Sequence, residues 1–451
     1  MPAILSPQRI QDLTQIEQRQ FALARPQSQA LSVEASEHML YGVPLHWMRD
    51  WPLPFTLFID QAQGAHLTDV DGHRYVDFCL GDTGAMFGHA PPALADALAS
   101  QVALGMTAML PSEDAVEASR LLSARFNLPF WQFTLSASDA NRFVLRWARA
   151  ITGRRKVLVF DGCYHGTVDD TLVDYDQGQT HWRASLLGTT HARPVDTVAV
   201  EFNDLAALEA ALRSGEVACV LAEPVMTNVG MVLPQPGFWE AANTLIRQHG
   251  SLLVMDETHT LSTGPSGYCG EHRLQPDMLV IGKAIGGGLP CAVYGFSASV
   301  ASRMQNAKDH APDGHSGIGT TLSANLLTTR AIRTTLESLM TTAAYAHMGQ
   351  QAESLARGLE AHITRHDLPW CVTRIGARCE FQFCSVQPRT GQEARAAMND
   401  ALEALIHLYL LNRGVLITPF HNMLLVSPHT RPDDVSRLLA AFGDCLDALC
   451  A

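Results

Sequence analysis

The chain has no apolar run close to the roughly 20 residues that a bilayer-spanning helix needs, so a helical membrane protein is not expected. Its ten cysteines form no C-x-x-C pair, which argues against zinc ribbons and thioredoxin-type redox sites and predicts no metal centre. Positive charge is in short supply: 32 Lys and Arg stand against 45 Asp and Glu, a net charge of −13. A general nucleic-acid binder needs a basic face to neutralise phosphates, so that class is excluded, although a local pocket for a small anion is not. The first residues have no basic stretch leading into an apolar one, so no secretion signal is expected. With reduced thiols, a cytoplasmic location is the plain expectation. Internal repeats and low-complexity tracts are also missing.

What is present suits a folded enzyme. Of 451 residues, 47% are hydrophobic and 17% charged, enough to build a sizeable core and to fill two or three domains. A helix is predicted from Ser6 and Pro7, with Ile10, Leu13, Ile16 and Phe21 near one face and Pro26 ending it. Residues 42–60 read as irregular, and 65–78 as a hairpin around Asp71-Gly72. From about residue 90, short apolar runs at 156–160, 219–222, 251–255 and 278–281 alternate with helical stretches such as 140–151 and 238–249. That alternation predicts an α/β fold with a largely parallel sheet. A long helical stretch from 325 to 365, a short α+β pattern and a closing helix from Pro432 predict a smaller second domain. The expected division is 1–65 as an N-terminal segment contributing to the small domain, 66–325 as the large domain, and 326–451 as the small one.

In open α/β sheets, ligand groups gather at the carboxyl ends of the strands. Four of the predicted strands end in polar residues: Asp161, Glu223, Asp256-Glu257 and Gly282-Lys283. Lys283 is the most informative, because it follows an apolar strand and precedes Gly286-Gly287-Gly288. Desolvation favours a neutral, nucleophilic amine, and glycines let a planar ligand approach. An arbitrary lysine is usually a surface residue. Asp256 suits the partner of a protonated pyridine nitrogen, or simply a helix cap. Ser136 to Asn141 opens a helix whose free N–H groups suit a phosphate, or again is plain capping. The three glycines lack the Walker lysine and the spaced glycines of dinucleotide sites.

Asp256-Glu257-Thr258-His259-Thr260, followed by Pro276-Asp277 and Gly282-Lys283-Ala-Ile-Gly-Gly-Gly288-Leu-Pro290, resembles the signature of the class III aminotransferases. These are pyridoxal-phosphate enzymes of fold type I, and the likeness is nearest to the subgroup of glutamate-1-semialdehyde aminomutase and its transaminase relatives. The resemblance implies pyridoxal 5'-phosphate as cofactor, joined covalently to Lys283, with Asp256 at its ring nitrogen. It places Thr258 on one ring face where the family usually has Val, and Tyr164 on the other. Ala137 and Ser138 match the pair that holds the phosphate, and Asn228 an Asn near the ring hydroxyl. Thr321 matches a threonine reaching the phosphate from a neighbouring subunit, which implies a homodimer with sites at the interface.

Several positions depart from the family pattern. Its Ser-Gly-Thr-Glu-Ala stretch reads Ser136-Ala-Ser-Asp-Ala140, His259 stands in place of a Met, and Asp82 in place of an aromatic near the substrate. Arg49 and Arg378 are candidates for a substrate carboxylate, each weighed against a surface ion pair. The expected activity is an aminotransferase passing an amino group from an amine or amino acid to an oxo acid or aldehyde. The alternatives are an intramolecular aminomutase, a racemase or decarboxylase on the same scaffold, and a cofactor-binding regulator without turnover. The expected partners are small molecules and a second copy of the chain, with neither nucleic acid nor membrane.

Overall fold

Buried apolar strands and the helices between them build the sheet that holds the strand-end residues together. The computed structural model describes residues 5–189 and 191–451. Seven strands form this sheet: β1 (Phe130–Thr134), β2 (Lys156–Phe160), β3 (Thr197–Val200), β4 (Val217–Ala222), β5 (Leu252–Asp256), β6 (Met278–Ile281) and β7 (Ala292–Phe296). Their spatial order is β1-β7-β6-β5-β4-β2-β3. From β6 across to β3 every pair is parallel, and only β7 runs antiparallel to its neighbours. Every residue of β4, β5 and β6 is buried, the pattern of strands covered on both faces. Because β2, β4, β5 and β6 are parallel, Asp161, Glu223, Asp256 and Lys283 emerge at one edge.

The helix Ala137–Thr152 shows how the sequence sets this packing. Ser136 caps it by accepting from the Asp139 amide, and Gly153, at φ +69°, ends it in the left-handed conformation. Its buried face carries Phe143, Val144, Leu145 and Ala148, which join Val157, Val159, Leu221, Val254 and Val280 in one core cluster. Burial of each large apolar side chain stabilises the fold by roughly 1.5–3 kcal/mol. Leu221→Ala, leaving a cavity under the sheet, is expected to cost about 2–5 kcal/mol.

The chain forms two compact units. The larger contains 92–345 and 388–396; the smaller contains the residues up to 91, 346–387 and 397–451. These limits differ from the expected 65 and 325. The strand Arg74–Asp77 pairs with Val415–Leu416, which ties residues 66–91 to the smaller unit. The helix Leu326–Thr334 packs on Pro92–Leu104 and Glu113–Phe126, which ties it to the larger. The smaller unit also holds a three-stranded sheet of Cys371–Ile375, Arg378–Gln382 and Met423–Leu425.

The first helix, Pro7–Ala24, buries Ile10, Leu13, Glu17 and Phe21, while Ile16 is exposed. The expected face was therefore shifted at one position. Glu17 is admitted to the interior because Arg413 and Asn412 bond its carboxylate at 3.0 and 2.7 Å. Pro26 opens a second helix, Pro26–His38, as well as marking the end of the first, since proline is tolerated in a first turn. The expected continuous helix from 325 to 365 is interrupted by a π-helical stretch at Thr335–Leu339. Among the described residues no helix is long and apolar enough to cross a membrane.

Candidate active site

Three lysines occur in the whole chain, at 156, 283 and 308. Lys156 pairs with Glu216 at 2.6 Å on the surface, and Lys308 lies in the last turn of the helix Ala298–Asp309. Lys283 alone follows a buried strand end. It is half-buried and has φ +48°, a conformation that costs a non-glycine residue on the order of 1–3 kcal/mol and clusters at functional sites. Its Nζ lies 2.5 Å from His259 Nε2.

Asp256 is 3% exposed, a setting in which a carboxylate persists only if hydrogen bonds replace its water. Asn141 Nδ2 donates to Oδ2 at 2.7 Å, and His165 Nδ1 lies 3.0 Å from the same atom. Oδ1 accepts from the Thr258 amide at 3.1 Å and from its hydroxyl at 2.6 Å. Burial pushes the Asp256 carboxyl up, but His165, Thr258 and Asn141 together outweigh it, and the group stays below the usual carboxylate range. For His165, burial favours the neutral ring, and the neighbouring Cys163 and Asp256 outweigh it, so the imidazole holds its proton more tightly than when free.

The adjoining Glu257 faces elsewhere. It accepts from the Tyr268 and Cys269 amides and from Thr260, which fixes the segment Gly267–Glu271. Glu223, buried at the end of β4, accepts from the Thr227 hydroxyl at 2.5 Å and the Tyr164 amide at 3.2 Å. Burial lifts its carboxyl above the usual range, against the pull of His165 and Thr227. Thr227 Oγ1 also lies 2.8 Å from His259 Nδ1.

The opposite wall is the start of the helix Ala137–Thr152. A Cβ on Gly282 would meet Ala137 Cβ at 2.8 Å, and one on Gly166 would collide with Ser138 Oγ. These close approaches bring the loop after β2 and the start of β6's exit onto the helix N-terminus, and Ser138 Oγ accepts from the Thr167 amide at 3.0 Å. Tyr164 is 40% exposed, and Asn228 donates to the Gly162 carbonyl at 3.1 Å. Thus Lys283, Asp256, Thr258, Tyr164, Asn228, Ala137 and Ser138 are linked through their own contacts and those of their immediate chain neighbours. Thr321 lies exposed in the turn before Leu326–Thr334.

The three candidate substrate residues lie in the smaller unit. Arg49 is solvent-facing, 3.7 Å from Asp50 and stacked over Tyr41. Asp82 is half-buried in a turn where Leu80, Asp82 and Thr83 all have positive φ. Arg378 is 1% exposed and donates to Thr83 Oγ1 and Met423 Sδ, both at 2.6 Å. Sequence reasoning did not single out Asn141, His165 or Thr227, and treated His259 only as a departure. Asn141 sits one turn after Ala137 on the buried face of the capped helix, which is a signal that helical spacing carries.

A model of the class III aminotransferases matches residues 48–444. The chain belongs to this family. It is 35% identical over 367 residues to a glutamate-1-semialdehyde 2,1-aminomutase from Roseiflexus castenholzii, covering 80% of this chain and 83% of that one. A crystal structure of a glutamate-1-semialdehyde-aminomutase from Pseudomonas aeruginosa PAO1 superposes with a TM-score of 0.96 at 50% identity, over 99% of both chains. A lysine-to-alanine variant of that protein in complex with PMP matches equally well. A β-phenylalanine aminotransferase from Variovorax paradoxus gives a TM-score of 0.86 at 29% identity, covering 96% of this chain and 97% of that one. The chain is therefore a fold type I, pyridoxal-phosphate-dependent enzyme of class III.

The residues present fit that cofactor. An ionised, fully buried carboxylate suits a pyridinium nitrogen, and a capped 16-residue helix with two close-packed glycine contacts at its start suits a phosphate.

Proposed function

We propose that this chain is an intramolecular aminomutase of the glutamate-1-semialdehyde type, moving an amino group between adjacent carbons of one substrate. The observation that carries this reading is the 50% identity, over 99% of both chains, to a solved structure of that description. The departures at Ala137, Asp82 and His259 favour an intermolecular aminotransferase, and the identity over the whole chain outweighs them.

When bound, pyridoxal phosphate supplies an electron-poor ring that spreads the negative charge left by breaking a C–H bond next to nitrogen. The chain supplies the rest. Asp256, held ionised by His165, Asn141 and Thr258, keeps a proton on the ring nitrogen. The start of Ala137–Thr152, with Ala137 and Ser138, holds the phosphate through N–H groups and the helix dipole. Tyr164 and Thr258 would confine the ring of the bound cofactor, and Asn228 would meet its hydroxyl. Lys283 anchors the cofactor and, once released, carries a proton between neighbouring carbons as general acid and base. In a mutase both half-reactions occur on one carbon skeleton, so the nitrogen need never leave the site. Thr321 reaching a neighbouring copy's phosphate makes the homodimer part of the same reading.

The second reading, a transaminase, is favoured by the likeness to the β-phenylalanine aminotransferase and by the carboxylate at Asp82 in place of an aromatic. An isotope-retention experiment separates the two. Holoenzyme is given 15N-labelled amino aldehyde together with an unlabelled amine and an oxo acid. A mutase keeps the label in the rearranged product and needs neither addition. Turnover that requires the oxo acid, with label passing to it, supports the transaminase and overturns the mutase.

A further inference from the structure

Three side chains outside the usual cofactor contacts, Glu223, Thr227 and His259, form a continuous hydrogen-bonded line that ends on Lys283. Glu223 Oε2 accepts from the Thr227 hydroxyl at 2.5 Å. Thr227 Oγ1 is 2.8 Å from His259 Nδ1, and His259 Nε2 is 2.5 Å from Lys283 Nζ. Donor and acceptor logic orients the line. A hydroxyl that donates to a carboxylate has only lone pairs left, so Thr227 Oγ1 accepts from His259 Nδ1–H. The proton on Nδ1 leaves Nε2 with its lone pair aimed at Lys283 Nζ. In the family pattern this place carries a Met, which can take up no proton.

We propose that His259 is a catalytic base for Lys283, taking a proton from its Nζ when the lysine is released and returning it when the lysine acts as an acid. This rests on Lys283 being the cofactor anchor, as proposed above. In the forward step the N–H bond at Nζ breaks, its electron pair stays on nitrogen as the amine lone pair, and a new N–H bond forms at His259 Nε2. The Nδ1 proton remains donated to Thr227. The positive charge on the imidazolium then faces the Glu223 carboxylate through one hydroxyl, which stabilises it without water.

Other titratable groups surround the pair and are committed elsewhere. Asp256, at the end of β5, bonds His165, Asn141 and Thr258. Glu257, beside it, is taken up by the Tyr268 and Cys269 amides. His165, from the loop after β2, faces Asp256. Glu223, from the end of β4, reaches His259 through the Thr227 hydroxyl.

Holoenzymes of wild type, His259→Gln, His259→Met and Thr227→Val provide the test. Gln keeps hydrogen-bonding groups but cannot be protonated. A base role predicts that His259→Gln and His259→Met lower kcat by roughly 10²–10⁴-fold and remove the acid limb of the kcat–pH profile, with KM changed by less than about threefold. Thr227→Val is expected to keep the limb and displace it. A second readout does not involve turnover: 15N NMR of holoenzyme labelled at the imidazole nitrogens. The resonance missing in His259→Gln is expected to show a protonated Nδ1 and an unprotonated Nε2, and Thr227→Val to mix the two tautomers. An unchanged acid limb in His259→Gln, or an Nε2-protonated tautomer in wild type, overturns the proposal. Borohydride reduction and peptide mapping run in parallel separate the two levels. Label on Lys283 with an unchanged limb defeats the base while leaving the anchor standing, and label on Lys156 or Lys308 defeats both.

Discussion

His165 Nδ1 lies 3.0 Å from Asp256 Oδ2, with both side chains almost wholly out of solvent. The pair shifts in opposite directions, Asp256 down and His165 up, each toward its charged form. A depressed folded pKa at Asp256 gives stability that is present above the ordinary carboxylate range and lost as pH falls through the folded value. A raised folded pKa at His165 gives stability that is full below the ordinary imidazole range and lost as pH rises toward the folded value. The contribution is therefore largest between those ranges, near pH 5–6 on the scale of about 4 and 6.5 for the free groups.

His165→Ala leaves Asp256 buried with one partner fewer, and removing one member of a buried pair typically costs about 3–5 kcal/mol. Urea denaturation of wild type and variant at several pH values checks this. The difference is expected to be greatest near pH 5–6 and to shrink at strongly alkaline pH. A pH-independent difference contradicts the assigned charges.

Lys283→Ala removes the anchor and the proton carrier together. Turnover is expected to fall by at least the roughly 10²–10⁴-fold that general acid–base catalysis alone contributes. The side chain is half-buried at the edge of the sheet, outside the core cluster, so folding is expected to be retained. Substituting Lys156, which pairs with Glu216 away from the strand ends, by Ala is expected to leave turnover within twofold. Steady-state kinetics on both variants, with melting temperatures alongside, make the comparison.

Thr321→Val tests the shared-site homodimer. Loss of a hydrogen bond to a charged group predicts weaker cofactor binding by roughly 1–3 kcal/mol. Cofactor titration measures that loss, and analytical ultracentrifugation of the active protein measures its assembly. A fully active monomer contradicts the shared site.

Asp82 sits in a turn with φ +48°, a conformation that Asn adopts as readily as Asp. Asp82→Asn therefore keeps the turn geometry, and a lower melting temperature reports the loss of the carboxylate's charge. If its charge meets substrate, the ranking of kcat/KM across a panel of amines changes. A uniform loss with a lower melting temperature assigns it to the turn instead. Arg378 contrasts with it. Fully buried on Thr83 and Met423, it is expected to report first in stability, with Arg378→Ala costing at least the roughly 1–3 kcal/mol of an unsatisfied buried partner by urea denaturation.

Local pattern determined much of this protein. An apolar run followed by an acid or lysine is written in consecutive residues, so the ends of β2, β4, β5 and β6 could be located without coordinates, as could the Ser136-capped helix. The family motif around Lys283 named the cofactor for the same reason: its spacing is local. Tertiary structure decided what sequence distance hides. Ile16 and Glu17 are neighbours, and a distant Arg413 settled which of them is buried. Asp256 and Glu257 are adjacent carboxylates, and their division between the site and the Tyr268 segment follows from which amides each one meets. The line from Glu223 to Lys283 joins residues 60 positions apart, and no periodicity relates them. Hydrogen-bond partners across a parallel sheet are chosen by which strand ends lie side by side, and strand order is a property of the assembled sheet.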